Sequence, residues 1–173
     1  LFVGRLAEKK GVTYLIEAMK SIDALLVIVG DGPLRRDLEK QAISIRNKVI
    51  FLGAKTHEDL KAIYASADVF VIPSVTTKDG DQEGFGLVML EAMASGLPVI
   101  ASNSGGITQL IINEVNGLLC EEKCVKELVN GIKRSLEDDE LYCEIINNTG
   151  NMIEKYDYRI IAQKYIEIMN AIG

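Results

Sequence analysis

Six short apolar runs, each separated from the next by an amphipathic or loop-like stretch, set the fold class of this chain. They lie at 1–4, 24–29, 49–52, 69–72, 98–101 and 117–120. Their apolar character is nearly continuous rather than alternating, the mark of parallel strands buried on both faces. Helical periodicity fills the gaps. Val12, Leu15, Ala18 and Met19 share one helical face, and so do Leu34, Leu38, Ala42 and Ile45, with Pro33 expected at the first helical position. Thr56 reads as the N-cap of a helix carrying Leu60, Ile63 and Tyr64, with Asp59 as its capping-box partner. Strand and helix in repeated succession predict an α/β fold, a doubly wound parallel sheet of about six strands. After Cys120 the pattern is purely helical, over 124–136, 138–149 and 158–171. No repeat, low-complexity tract or Pro-rich linker divides the chain, so residues 1–173 read as one domain.

Composition narrows the function. The 173 residues are 48% hydrophobic and 25% charged, with net charge −6, which excludes a disordered chain and disfavours nucleic acid as a partner. No apolar run approaches the roughly 20 residues of a spanning helix. Three cysteines, Cys120, Cys124 and Cys143, make an odd count that suits a reducing compartment. Cys120 and Cys124 are placed to share a helical face, but no further Cys or His completes a zinc tetrad. The sole histidine, His57, reads as a first-turn surface residue. The chain opens at Leu1 in a strand, without an initiator Met, as expected of a piece of something larger. Charge is uneven: residues 1–55 carry net +4 and residues 56–173 net −10. Either an anion is handled near the front of the chain, or the surface simply balances its charge there.

Ligands of open α/β sheets bind beyond the carboxyl ends of the strands. Five such ends stand out: Gly4-Arg5, Gly30-Asp31-Gly32, Gly53-Ala54-Lys55, the long loop 73–86, and 102–106. In the first, Arg5 can fork onto two phosphate oxygens and Lys10 adds a mobile point charge, while Gly4 lets backbone approach a ligand. A solvated basic turn is the alternative. In the loop 73–86, Glu83-Gly84-Phe85-Gly86 leads into a helix beginning near Leu87 and Val88, whose unpaired amides form an anion site. Glu83 is expected before that helix and Glu91 about two turns inside it, either as acceptors for sugar hydroxyls or, as the alternative, as a favourable first-turn charge and a surface residue. Gly30-x-Gly32 is only half of a dinucleotide fingerprint, so a tight turn lining a ligand is favoured over a nicotinamide site. Asp79-Gly80-Asp81 lacks the further ligands that a metal needs, and no metal is expected.

Taken together, Val3-Gly4-Arg5-Leu6 with Lys9-Lys10-Gly11, Val29-Gly30-Asp31-Gly32-Pro33 and Val71-Ile72-Pro73-Ser74 form an ordered series. Glu83-Gly84-Phe85-Gly86-Leu87 through Glu91-Ala92-Met93-Ala94, Gly96-x-Pro98-Val99 and Ser104-Gly105-Gly106-Ile107 extend it. This series resembles the C-terminal, donor-binding half of a retaining GT-B glycosyltransferase of the family-4 type (glycosyl transferases group 1), a Rossmann-like domain. The resemblance implies that Arg5 and Lys10 hold the donor diphosphate and that Gly86, Leu87 and Val88 offer it amides. It implies that Glu83 and Glu91 are the two glutamates of an E-x7-E motif, the first near the donor sugar and the second on the ribose. Gly4, Gly30, Gly32, Gly84 and Phe85 then line the donor, with Glu83, Arg5 and Lys10 at the reacting end. Gln109 and Asn113-Glu114 depart from the family pattern, where glutamate and Asp-Gly are common.

The implied partners are a UDP-, GDP- or ADP-sugar donor and a saccharide, lipid or other acceptor held by an N-terminal domain outside this chain. No cofactor or metal is implied. A cytoplasmic location follows, with any contact to the inner face of a membrane belonging to the full-length protein. Two rival readings are a nucleotide-sugar epimerase of the same architecture and a non-catalytic nucleotide-binding module.

Overall fold

The computed structural model describes residues 1–84 and 86–172. The chain runs β1 (Phe2–Val3), α1 (Val12–Ala18), β2 (Leu26–Val29), α2 (Arg35–Ala42), β3 (Val49–Gly53), α3 (His57–Ala65) and β4 (Phe70–Ile72). It continues with α4 (Leu87–Ala94), β5 (Val99–Ser102), β6 (Leu118–Cys120), α5 (Val125–Glu137), α6 (Asp139–Ile153) and α7 (Tyr158–Ile172). The six strands form two parallel three-stranded sheets, β1-β2-β3 and β4-β5-β6. Leu1 joins them at the backbone: its N–H group donates to the Val69 carbonyl at 2.8 Å, and its carbonyl accepts from Val71 N at 2.9 Å. The strand order is therefore 3-2-1-4-5-6, with the reversal between β1 and β4. That is the doubly wound arrangement, and its crevice opens at this reversal.

Burial of both faces shows in the alternation along each strand. Phe2, Ile28, Val71, Ile100 and Leu118 point into one core, with Leu15 and Ile16 of α1 and Ile132 of α5. Their neighbours Val3, Val29, Phe70, Ile72, Val99 and Ala101 point into a second, with Met89 and Ala92 of α4. Val12, Leu15, Ala18 and Met19 are all buried, as their spacing predicts. Thr56 caps α3 in a full capping box: its Oγ1 accepts from Asp59 N at 3.2 Å, and Asp59 Oδ2 accepts from Thr56 N at 3.3 Å.

Several local expectations fail for identifiable reasons. Pro33 is not the first helical residue: α2 starts at Arg35, and Leu34 N donates to Leu6 O at 3.0 Å, tying the preceding turn to the loop after β1. Ile45 packs against the core but from a 3-10 stretch, Ile43–Lys48, in which it is non-helical. The β5–β6 connection carries only a 3-10 segment, Gly105–Gln109. Cys120 and Cys124 share no helical face: the first ends β6 and the second precedes α5. Burial, and then the Glu127 carboxylate, push the Cys120 thiol up to about 12, so it stays protonated and unreactive. Four of the ten cations of residues 1–55, Lys20, Arg35, Lys40 and Lys48, pair with Glu17, Glu39, Asp37 and Asp23 of the same segment.

Two backbone positions generate predictions. Gly11, between the 3-10 turn Glu8–Lys10 and α1, has φ +62°, and a Cβ there would lie 1.8 Å from the Pro73 carbonyl oxygen. Gly11→Ala therefore separates the loops after β1 and β4, and chemical denaturation should show a loss of about 3 kcal/mol or more. Glu114, one of the departures from the family pattern, takes φ +62° and pairs at the surface with Arg134 at 2.6 Å. Left-handed backbone costs a non-glycine residue about 1 kcal/mol or more, whereas an exposed ion pair returns less than that. Glu114→Gly should raise Tm by roughly 2–4 °C in a calorimetric scan.

Candidate functional site

The chain concentrates polar chemistry where β1 and β4 end, on either side of the strand reversal. The loop after β1 is built against the loop after β2. Gly4 N donates to Val29 O at 2.9 Å, and Leu6 N donates to Asp31 O at 2.9 Å. Gly30 has φ +131°, and a Cβ there would sit 1.9 Å from the Gly4 carbonyl oxygen. Gly32 is as tightly placed, 2.4 Å from Leu6 O by the same measure. The Gly30-Asp31-Gly32 turn thus has a packing reason of its own, which is to let two strand-end loops lie backbone to backbone.

The loop after β4 closes the other side. Val75 N donates to the Lys9 carbonyl at 2.8 Å, and Lys9 Nζ pairs with Asp81 at 3.2 Å. Thr76 is held by Glu122, through N at 2.8 Å and Oγ1 at 2.7 Å. Between these anchors lies a buried ion pair. Lys10 Nζ bonds Glu83 Oε2, with side chains 14% and 9% exposed. Ser74 Oγ donates to the same carboxylate oxygen at 3.2 Å, and Gly106 N donates to the Glu83 carbonyl at 3.1 Å. The Lys10 ammonium neutralises this carboxylate, so Glu83 does not oppose an anion at the helix tip that follows it. The ammonium has three donors, so pairing with Glu83 leaves others for a ligand.

Glu83 leads directly to the tip of α4. Gly86 is left-handed, with φ +65°, and Leu87 opens the helix with 68% of its surface exposed. Met89 N donates to Gly86 O at 2.8 Å, while the amides of Leu87 and Val88 precede any intrahelical partner, and the helix dipole adds positive potential. Gly84 is exposed with open space around its Cα, and Phe85 lies outside the described residues. Arg5 follows Gly4 at the end of β1; its side chain is exposed and forms no ion pair among the described residues. Lys10 and Glu83 are therefore brought together by the fold, with the helix tip next in sequence. Arg5 shares the strand end without touching either.

Glu91 is the fifth residue of α4, little more than one turn inside the helix rather than two. Its Oε2 accepts from Tyr64 Oη at 3.0 Å. Both line a cavity of about 150 Å³ between α3 and α4, with His57, Leu60, Lys61 and Ser95. A larger cavity, about 430 Å³, lies elsewhere, at the opposite ends of the strands near Leu26 and Val69, and its walls are mostly aliphatic. Among the described residues no group of three or more His, Cys, Asp and Glu could hold a metal ion, and Asp81 of the Asp79-Gly80-Asp81 run is engaged by Lys9.

Ser74, Gly106 and Tyr64 have parts in this site that spacing does not disclose. Tyr64 falls on the apolar face of α3, where a hydroxyl is the one polar atom. A buried hydroxyl needs a partner, and that was the available signal.

Comparison with known proteins agrees with this geometry. Residues 1–152 match the model of the glycosyl transferases group 1 family. An uncharacterized glycosyltransferase of Methanocaldococcus jannaschii is 42% identical over 97% of this chain and 43% of its own length. The sulfoquinovosyl transferase of Arabidopsis thaliana is 36% identical over 95% of this chain and 31% of its own. Thus the chain spans less than half the length of these curated relatives. Among solved structures, Anabaena HepE in complex with UDP superposes with a TM-score of 0.86 at 29% identity, covering 98% of this chain and 48% of that one. The same protein in complex with UDP-glucose gives 0.85. With its strand order, its helix tip at the reversal and this match over most of its length, the chain belongs to the glycosyl transferases group 1 family.

Proposed function

We propose that this chain is the donor-binding domain of a retaining, family-4-type hexosyltransferase that uses a nucleotide-diphosphate sugar. The observation that carries the reading is the buried pairing of Lys10 with Glu83 at the strand reversal, three residues in sequence before the tip of α4. HepE binds UDP and UDP-glucose on a closely similar fold, which supports a nucleotide-sugar donor here. Arg5, Lys10 and the amides of Leu87 and Val88 receive the diphosphate, Gly4, Gly84 and Gly86 let backbone line it, and the turn of Gly30 and Gly32 lines the donor further along. Glu91 accepts ribose hydroxyls, and the base, whether of UDP, GDP or ADP, lies toward Gly53 to Lys55.

The chemistry follows from charge. As the anomeric bond breaks, negative charge grows on the leaving diphosphate, and cations with preorganised amides stabilise it there, an effect worth several kcal/mol in such sites. Glu83 has two tasks. It holds Lys10 in place, and its carboxylate offsets positive charge developing on the sugar. No metal is required, because the two cations and the helix tip supply the positive charge. An acceptor site, and any membrane contact of a cytoplasmic full-length enzyme, belong to sequence outside this chain.

Transfer with retention is read by NMR of the anomeric configuration of product formed by the full-length enzyme. Epimerised free nucleotide sugar in place of a glycosylated product would instead establish the isomerase reading. Within this chain, Arg5→Ala and Lys10→Ala should each weaken nucleoside diphosphate binding in calorimetry by about ten- to a hundredfold, the worth of a charge-assisted hydrogen bond. Unchanged affinity removes the diphosphate assignment. Lys10→Ala alone should also lower stability, by about 3 kcal/mol, because it strands the Glu83 carboxylate. Glu83→Gln should behave oppositely toward binding. Nucleoside diphosphate affinity holds or rises as a nearby anion is lost, while transfer by the full-length enzyme falls on the order of a hundredfold.

A further inference from the structure

We infer that Tyr64 is a positioning residue for the ribose-binding carboxylate, and that it contributes to selection of ribose over deoxyribose donors. The inference rests on the reading of Glu91 given above and extends it to a residue on a different helix. Tyr64 Oη donates to Glu91 Oε2 at 3.0 Å across the groove between α3 and α4. The two residues face the same 150 Å³ cavity, which opens beside the N-terminal turn of α3 at His57.

The two partners differ in freedom. Glu91 is half-buried on a groove wall, and a glutamate has three side-chain torsions to fix. Tyr64 has none to spare. It is 3% exposed, belongs to the second core, and its ring packs tilted against Phe70 with centroids 5.9 Å apart. The hydroxyl is thus a rigid donor at a fixed point, and the carboxylate is the mobile group that it fixes. With Oε2 engaged, Oε1 and the remaining lone pairs of Oε2 are the acceptors presented to the cavity. Burial, and then the Glu91 carboxylate, raise the Tyr64 phenol above its ordinary range, so it remains a donor at all working pH values. Ser95 does not compete for the carboxylate, since its Oγ donates to the Glu91 backbone carbonyl at 2.8 Å.

A hydroxyl that merely staples α3 to α4 would change melting temperature and nothing else. A positioning hydroxyl changes discrimination. The test titrates the wild-type protein with UDP, GDP and ADP, takes the tightest, and compares it with its 2′,3′-dideoxy counterpart. Wild type should prefer the ribonucleotide about tenfold or more, the worth of a hydrogen bond to a charged acceptor. Glu91→Ala should bring the ratio close to one. Tyr64→Phe should lower the ratio at least threefold by weakening the ribonucleotide while leaving dideoxynucleotide affinity unchanged. Tyr64→Met, a second hydroxyl-free side chain, carries the same comparison if the phenylalanine variant gives no folded protein. If Glu91→Ala keeps the wild-type ratio, the ribose role of Glu91 is lost, and this inference with it. If Glu91→Ala abolishes the preference and both Tyr64 variants that fold retain it, Glu91 stands and the role of Tyr64 is overturned.

Discussion

The pairing of Lys10 with Glu83 is the contact on which the site depends. Two charges in a place this secluded are expensive to desolvate, and each is tolerable only because the other is there. Ser74 and the amide of Gly106 complete the arrangement by fixing the carboxylate and the backbone that carries it. The consequence is architectural as much as electrostatic. Lys10 belongs to the loop after β1 and Glu83 to the loop after β4, so the ion pair joins the two loops that flank the strand reversal, alongside the Val75–Lys9 backbone bond and the packing of Gly11 on Pro73. The helix tip begins three residues beyond Glu83.

The architecture was legible in the sequence because the physics that produces it is local and repeated. Strands covered on both sides must be apolar along their whole length, and the runs near 26–29, 70–72 and 99–102 could hardly satisfy any other fold. The capping box at Thr56 and Asp59 was legible for the same reason, being a contact between residues three apart. What could not be read were consequences of long-range contact. The turn before α2, which Leu34 ties to Leu6, starts the helix two residues beyond Pro33, and no propensity of Pro33 records that bond. Glu91 lies shallower in α4 than expected although the helix starts at Leu87 as expected, since four residues span little more than one turn.

The site shows the same division. Its charged members could be named from residue type at strand ends, since few places in an α/β chain put a cation and a helix tip together. Their mutual arrangement could not. The neutralisation of Glu83 by Lys10 joins positions 73 residues apart. The link from Tyr64 to Glu91 hid behind an apolar periodicity, in which tyrosine counts as hydrophobic and its one polar atom goes unnoticed. Of the ten cations in residues 1–55, Lys20, Arg35, Lys40 and Lys48 serve nearby carboxylates, whereas Lys9 and Lys10 reach across to Asp81 and Glu83.

Gly11 illustrates a wider point. It touches no reactant in the reading offered here and carries no side chain at all, yet the Pro73 carbonyl occupies the space where any other residue would place its first carbon. A survey of tolerated substitutions would rank this position with the reacting residues, since such surveys register intolerance and not its cause. Steric indispensability and chemical participation leave the same imprint on a record of permitted amino acids, and only coordinates tell them apart.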